Sequence, residues 1–173
     1  MNLSAKLVIY HLKKHFDVDV SGHLTSEPNL RYPVIYNKDR NIRDGLIYVI
    51  EDSSILPQSH TLKNVLYILV GGDPSQSLQH YSNICRIPGH VSTAWILQVL
   101  QEIFQIYNEW QENIFHHMFD SPTVQSLLEI SFPAISNPMS VMGMDFHCIG
   151  AYQTDHDEMV NEFLGSTDET MLI

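Results

Sequence analysis

Val65-Leu66-Tyr67-Ile68-Leu69-Val70, followed at once by Gly71-Gly72-Asp73-Pro74, is the stretch on which the fold turns. An apolar run of this length, closed by a turn sequence, is expected of a strand buried on both faces. Such a strand needs a sheet around it and helices against that sheet. Val34 to Tyr36 and Gly45 to Ile50, rich in Val, Ile and Tyr and bounded by turn formers, predict two more strands. Ile84 to Ile87 would close the sheet. Upstream, Leu3, Leu7, Tyr10 and Phe16, with Val8 and Leu12 beside them, recur at helical spacing and predict an amphipathic helix from Leu3 to Phe16, capped by Asn2 or Ser4. Asp52 to Pro57 and Leu78 to Ser82 read as short helical or irregular connections. Residues 1–90 therefore read as an α/β domain, a small sheet flanked by helices.

From Val91 to Phe119 the chain has no Pro or Gly, and Ile96, Val99, Ile103, Ile106 and Trp110 fall at alternating spacings of three and four. That is the seam of a long helix. A second stripe of Leu100, Phe104, Tyr107, Ile114 and Met118 lies on a neighbouring face. One helix carrying two apolar stripes must bury both, so residues 91–120 are expected to form a connecting helix whose seam meets the same helix of a second chain in a homodimer. The alternative is a central helix buried within its own chain. Beyond it, Asp120-Ser121-Pro122 suits a helix start, Thr123 to Phe132 a short helix, and Met139 to Met142 with Phe146 to Tyr152 a hairpin around Gly143. Met159 to Leu164 would begin one more helix. So few elements cannot bury a core of their own, and residues 121–173 read as an incomplete domain.

Charge follows the same division. All nine Lys and Arg lie between Lys6 and Arg86 beside eight acids, whereas residues 87–173 hold twelve acids and no Lys or Arg, within a chain of formal charge -11. A surface this acidic repels phosphate backbones and anionic lipid, which argues against direct DNA binding by these residues. Pro88-Gly89 marks the compositional boundary. The longest apolar runs are far shorter than the roughly 20 residues of a membrane span, and Met1 to Phe16 lacks a signal-peptide pattern. Two cysteines, Cys85 and Cys148, make no disulfide framework. A soluble, cytoplasmic protein without membrane partners is the expectation.

Candidate chemistry is thin. His11 and His15 stand four apart on the first helix, but Lys13 and Lys14 lie between them and no third ligand is spaced to join them. His116, His117 and Asp120 sit at the end of the long helix, where its dipole favours histidine whatever the function. A small metal-dependent hydrolase built on these three is the remote alternative. Asp155-His156-Asp157-Glu158 lacks the glycine and loop pattern of a calcium site. No Gly-x-Ser-x-Gly elbow, dinucleotide fingerprint or phosphate-loop motif is present. The reading is of no enzyme, no resident metal and no cofactor. Gly71-Gly72 is either a plain turn or the rim of a small-ligand pocket, since ligands favour the carboxyl ends of strands in α/β sheets. Asp44, Tyr48, Gly71, Gly72 and Asp73 are the candidate pocket residues on that ground.

The order of segments adds a resemblance. Gln101 to Glu112, with its Tyr107-Asn108-Glu109-Trp110 core, then Val124-Gln125-Ser126-Leu127-Leu128-Glu129-Ile130, then Asn137-Pro138-Met139-Ser140-Val141-Met142 and Asp145-Phe146, resemble the middle of PucR-like bacterial transcription regulators, the purine-catabolism and sugar-diacid regulator type. Asp44 to Val49 and Leu66 to Pro74 are similar to strands of that family's N-terminal α/β segment. The resemblance implies a dimeric, ligand-responsive regulatory region with a small-molecule effector. It also implies that residues 121–173 begin a GAF- or PAS-like α+β segment, and that DNA is read only by a C-terminal helix-turn-helix not present here. A ligand-free assembly module is the alternative of a different class.

Overall fold

The structure, a computed structural model, describes residues 1–39, 41–51, 64–72, 83–89, 91–120, 122–145 and 147–152. In chain order the elements are α1 (Ala5–Leu12), β1 (Asp19–Ser21), β2 (Tyr32–Ile35), β3 (Leu46–Ile50), β4 (Leu66–Val70), β5 (Ile84–Ile87), α2 (Thr93–His117), α3 (Val124–Ile135), β6 (Met139–Met142) and β7 (Cys148–Tyr152). The expected α/β class is what the chain forms. Two compact units divide it, residues 1–105 and 106–173, with the division falling inside α2.

The first unit is a five-stranded sheet of order β1-β5-β4-β3-β2. β2, β3, β4 and β5 run parallel, and β1 is antiparallel to β5. The central strands β3, β4 and β5 are buried at almost every position, as the unbroken apolar run of β4 requires. Their pleat sends Leu46, Tyr48, Ile50, Tyr67, Leu69 and Ile84 to one face, where they form a buried cluster. Ile47, Val49, Leu66, Ile68, Cys85 and Ile87 point to the other and are equally buried. On α1, Ala5, Val8, Ile9 and Leu12 are buried. Phe16 and Trp95 meet edge to face at 4.7 Å, joining the end of α1 to the first turn of α2.

Ser4 caps α1 by accepting the Leu7 N–H at 3.2 Å, and the helix ends at Leu12, short of the expected Phe16. Leu3 pairs with Leu30 as an isolated bridge, so the residue expected to open the helix extends the chain instead. Asn83, at φ 51° just before β5, accepts the Thr25 N–H on Oδ1 at 2.7 Å. That bond stitches the N-terminal segment to the sheet.

In the second unit, α3 runs antiparallel to the end of α2. Tyr107 Oη donates to Ala134 O at 3.0 Å, Trp110 Nε1 donates to Ser131 Oγ at 3.1 Å, and His117 Nε2 meets Ser126 Oγ at 2.6 Å. The partners move backward along α3 as they move forward along α2, which is the signature of antiparallel packing. α3 is capped by Thr123 rather than by a residue of the Asp120–Pro122 segment, because Thr123 and Ser126 exchange side-chain-to-backbone bonds in a capping box. β6 and β7 form the expected hairpin, with a register irregularity at Val141/Met142, and pack on α3. At Gly150 a Cβ would lie 3.1 Å from Val124 Cγ1 and 3.3 Å from Leu128 Cδ1, so any side chain there requires α3 to give by a few tenths of an ångström. The segments expected at Asp52–Pro57, Leu78–Ser82, Asp155–Glu158 and Met159–Leu164 lie outside the described residues.

Candidate functional site

Parallel strands end on one edge of the sheet, and that edge carries an open cleft of about 630 Å³. Glu51 follows β3, Val70, Gly71 and Gly72 end and follow β4, Gly89 follows β5, and Ser92 and Thr93 start α2. Gly71, Gly72 and Gly89 have φ of 71°, 85° and 84°, a left-handed conformation that residues with a Cβ adopt only at a cost. The strands can therefore turn sharply at their ends, leaving backbone rather than side chain at the rim. Gly71 is held in place by its N–H, which donates to Ile87 O at 2.9 Å across to β5.

The cleft presents both kinds of hydrogen-bonding group. Ile96 N–H donates to Ser92 O at 3.1 Å, the first bond of α2, so the amides of the turn before it have no acceptor within the helix. These N–H groups and the dipole of a 25-residue helix make a donor-rich, electropositive wall. Glu51 opposes them with a carboxylate, and Thr93 Oγ1 donates to Glu51 Oε1, linking the end of β3 to the start of α2. The arrangement suits a neutral or zwitterionic polar molecule offering both donors and acceptors.

Gly71 and Gly72 of the expected pocket lie together here. Asp73 lies outside the described residues. Asp44 does not belong to the cleft, because it precedes β3 and sits at the amino ends of the parallel strands. Tyr48 lies within β3 and lines a different cavity. Glu51, Ser92 and Thr93 were not among the residues singled out from sequence, although Ser-Thr before a long helical pattern is a start signal that places both beside the strand ends.

The seam of α2 is largely taken up within the chain. Ile96, Val99 and Ile103 are buried, at most 3% exposed, and Trp110 is half-buried against α3 with its indole N–H bonded to Ser131. Ile106 alone of the five stays exposed. A stripe at helical spacing records only that something covers it, and here the chain's own residues cover most of it.

Two titratable groups among the described residues are shifted by their surroundings. Burial pushes the Cys85 thiol well above its ordinary range, with Lys13 opposing weakly. Burial, and then the charges of Lys14 and His15, lower His11 from 6.5. Among the described residues no group of three or more His, Cys, Asp or Glu could hold a metal ion, and no helix is long and apolar enough to cross a membrane. No family model, curated protein or solved structure matches this chain.

Proposed function

We propose that the chain is a signal-sensing regulatory module of a cytoplasmic transcription regulator, as its resemblance to the PucR-like type implies, and not an enzyme. A small polar effector occupies the cleft at the carboxyl ends of β3, β4 and β5. One observation carries this reading: Ser92 and Thr93, which line the cleft, begin the helix whose residues 106–117 belong to the second unit. An effector held by the first turn of α2 biases where that helix sits, and by linkage shifts the population of whatever arrangement its far end adopts. Purines, ureides and sugar acids are the effector classes that the resemblance implies.

The test is a thermal-shift screen of the purified chain against xanthine, allantoin and glucarate, since a ligand that binds only the native state raises its melting temperature by mass action. One of them stabilises the wild type and fails to stabilise Gly71→Val, whose side chain narrows the cleft. No shift with any of the three, or an equal shift in Gly71→Val, removes the reading.

A second reading, an assembly module without a ligand, is favoured by the exposed Phe115, Met118 and Phe119 at the end of α2, where the Phe115 and Phe119 rings lie 5.2 Å apart. Exposed apolar residues in one place mark association sites. The homodimer, with α2 at its centre, joins the two readings through Ile106 and these residues, and sedimentation of the wild type against Phe115→Ser/Met118→Ser tests it.

A further inference from the structure

We propose that a second cavity, between the β2–β3 face of the sheet and the segments of residues 37–39 and 41–43, binds a planar aromatic or heteroaromatic carboxylate. Its floor is set by register: Tyr32 lies opposite Leu46 and Val34 opposite Tyr48, so these four side chains share one face as an apolar patch two residues wide and two deep. The Tyr48 ring is held by three contacts. Its Oη accepts the Arg43 N–H at 2.8 Å, Tyr36 meets it edge to face at 5.8 Å, and Tyr67 stacks on it at 6.1 Å. The loop is anchored as well, since Ile42 packs against the buried cluster of this face.

The wall supplies the polar half of the site. Asn37, Asn41 and Arg43 line it, within a cavity of about 430 Å³, a size typical of small-ligand sites. Asn37 Oδ1 is already used, accepting the Asp39 N–H at 2.9 Å, which leaves its amide N–H groups as donors. Among the described residues lining the cavity Arg43 carries a charge and none is a carboxylate, on a chain of net charge -11. One guanidinium balances one negative charge, and its planar fork matches a carboxylate with two parallel bonds. A flat aromatic body on the Tyr32–Tyr48 floor places its acid group toward the loop, because aromatic rings favour offset or edge-on contact with one another. Ring and charge are thus read by different walls of one cavity.

Calorimetric titration of the chain with naphthoate, naphthamide and cyclohexanecarboxylate separates the two requirements. Naphthoate binds, and the uncharged amide and the non-planar acid bind at least about tenfold more weakly, a difference of roughly 1.4 kcal/mol. Arg43→Gln weakens naphthoate by about the same factor, with an unchanged circular-dichroism spectrum because Arg43 is exposed. Glu51→Gln, in the other cleft, leaves naphthoate binding as it is. Absence of naphthoate binding, equal binding of naphthamide, equal binding of cyclohexanecarboxylate, retention of affinity in Arg43→Gln or its loss in Glu51→Gln each overturns the proposal.

Discussion

Trp110 donates its indole N–H to Ser131 Oγ at 3.1 Å, so one of the two tryptophans of the long helix is spent on a contact with α3. Tyr107 stands beside it edge to face at 6.2 Å and bonds Ala134 O one turn away. Trp110→Phe keeps most of the ring and removes the bond, and is expected to destabilise the chain by about 1 kcal/mol in urea unfolding. Trp110→Ala, which also removes a half-buried ring, costs more, roughly 2–3 kcal/mol. If Trp110→Phe instead leaves unfolding unchanged and converts a dimer to a monomer, the ring belongs to an interface between chains.

Gly150 tests the packing of the hairpin. A valine there meets Val124 and Leu128 of α3 inside normal contact distance, and is expected to cost about 1–3 kcal/mol, as overpacking does elsewhere. Gly150→Ala costs less. Equal stability of all three proteins in urea would mean that β7 does not lie against α3.

The two thiols differ in reactivity. Cys85 is completely buried and burial favours its protonated form, whereas Cys148 is half-buried. An aromatic disulfide reagent added to the native protein should modify Cys148 and leave Cys85, and both should react after denaturation. Rapid modification of Cys85 in the native state would place it outside the core.

His11 gives the pH dependence a sign. Its proton affinity is lowered on folding, so below about pH 6.5 the unfolded chain takes up the proton more readily than the native one. This group's contribution is present above that pH and is lost as the pH falls through it. The melting temperature should decline between pH 7 and pH 5, with a smaller decline in His11→Gln. Identical slopes in the two proteins would show that His11 is not the group responsible.

Much of the sheet is legible because burial on both faces leaves a plain record: β4 is apolar throughout, and Gly71-Gly72 marks its end. β1 leaves no such record. Asp19-Val20-Ser21 is short and mostly exposed, and becomes a strand only because β5 offers it an edge to pair with. α2 shows the opposite limit, since its spacing reveals a covered stripe without saying which surface covers it. The cleft is half legible for a related reason. Glycines after a strand point to a turn at the carboxyl edge, but Glu51 and the Ser92-Thr93 pair come from separate stretches that only the parallel topology brings together. Tyr48 lies within the right strand and Asp44 just before it, and both still miss the cleft, because position along β3 decides which end of the sheet a residue serves.

The central claim is that occupancy of the carboxyl-end cleft is felt along α2. Amide hydrogen exchange over residues 93–117 should be measured with and without whichever of xanthine, allantoin or glucarate stabilises the chain most. The account predicts slower exchange in the first turn of α2 and also in residues 106–117. Protection confined to residues 70–72 and 89–93, with the remainder of the helix unchanged, would contradict it.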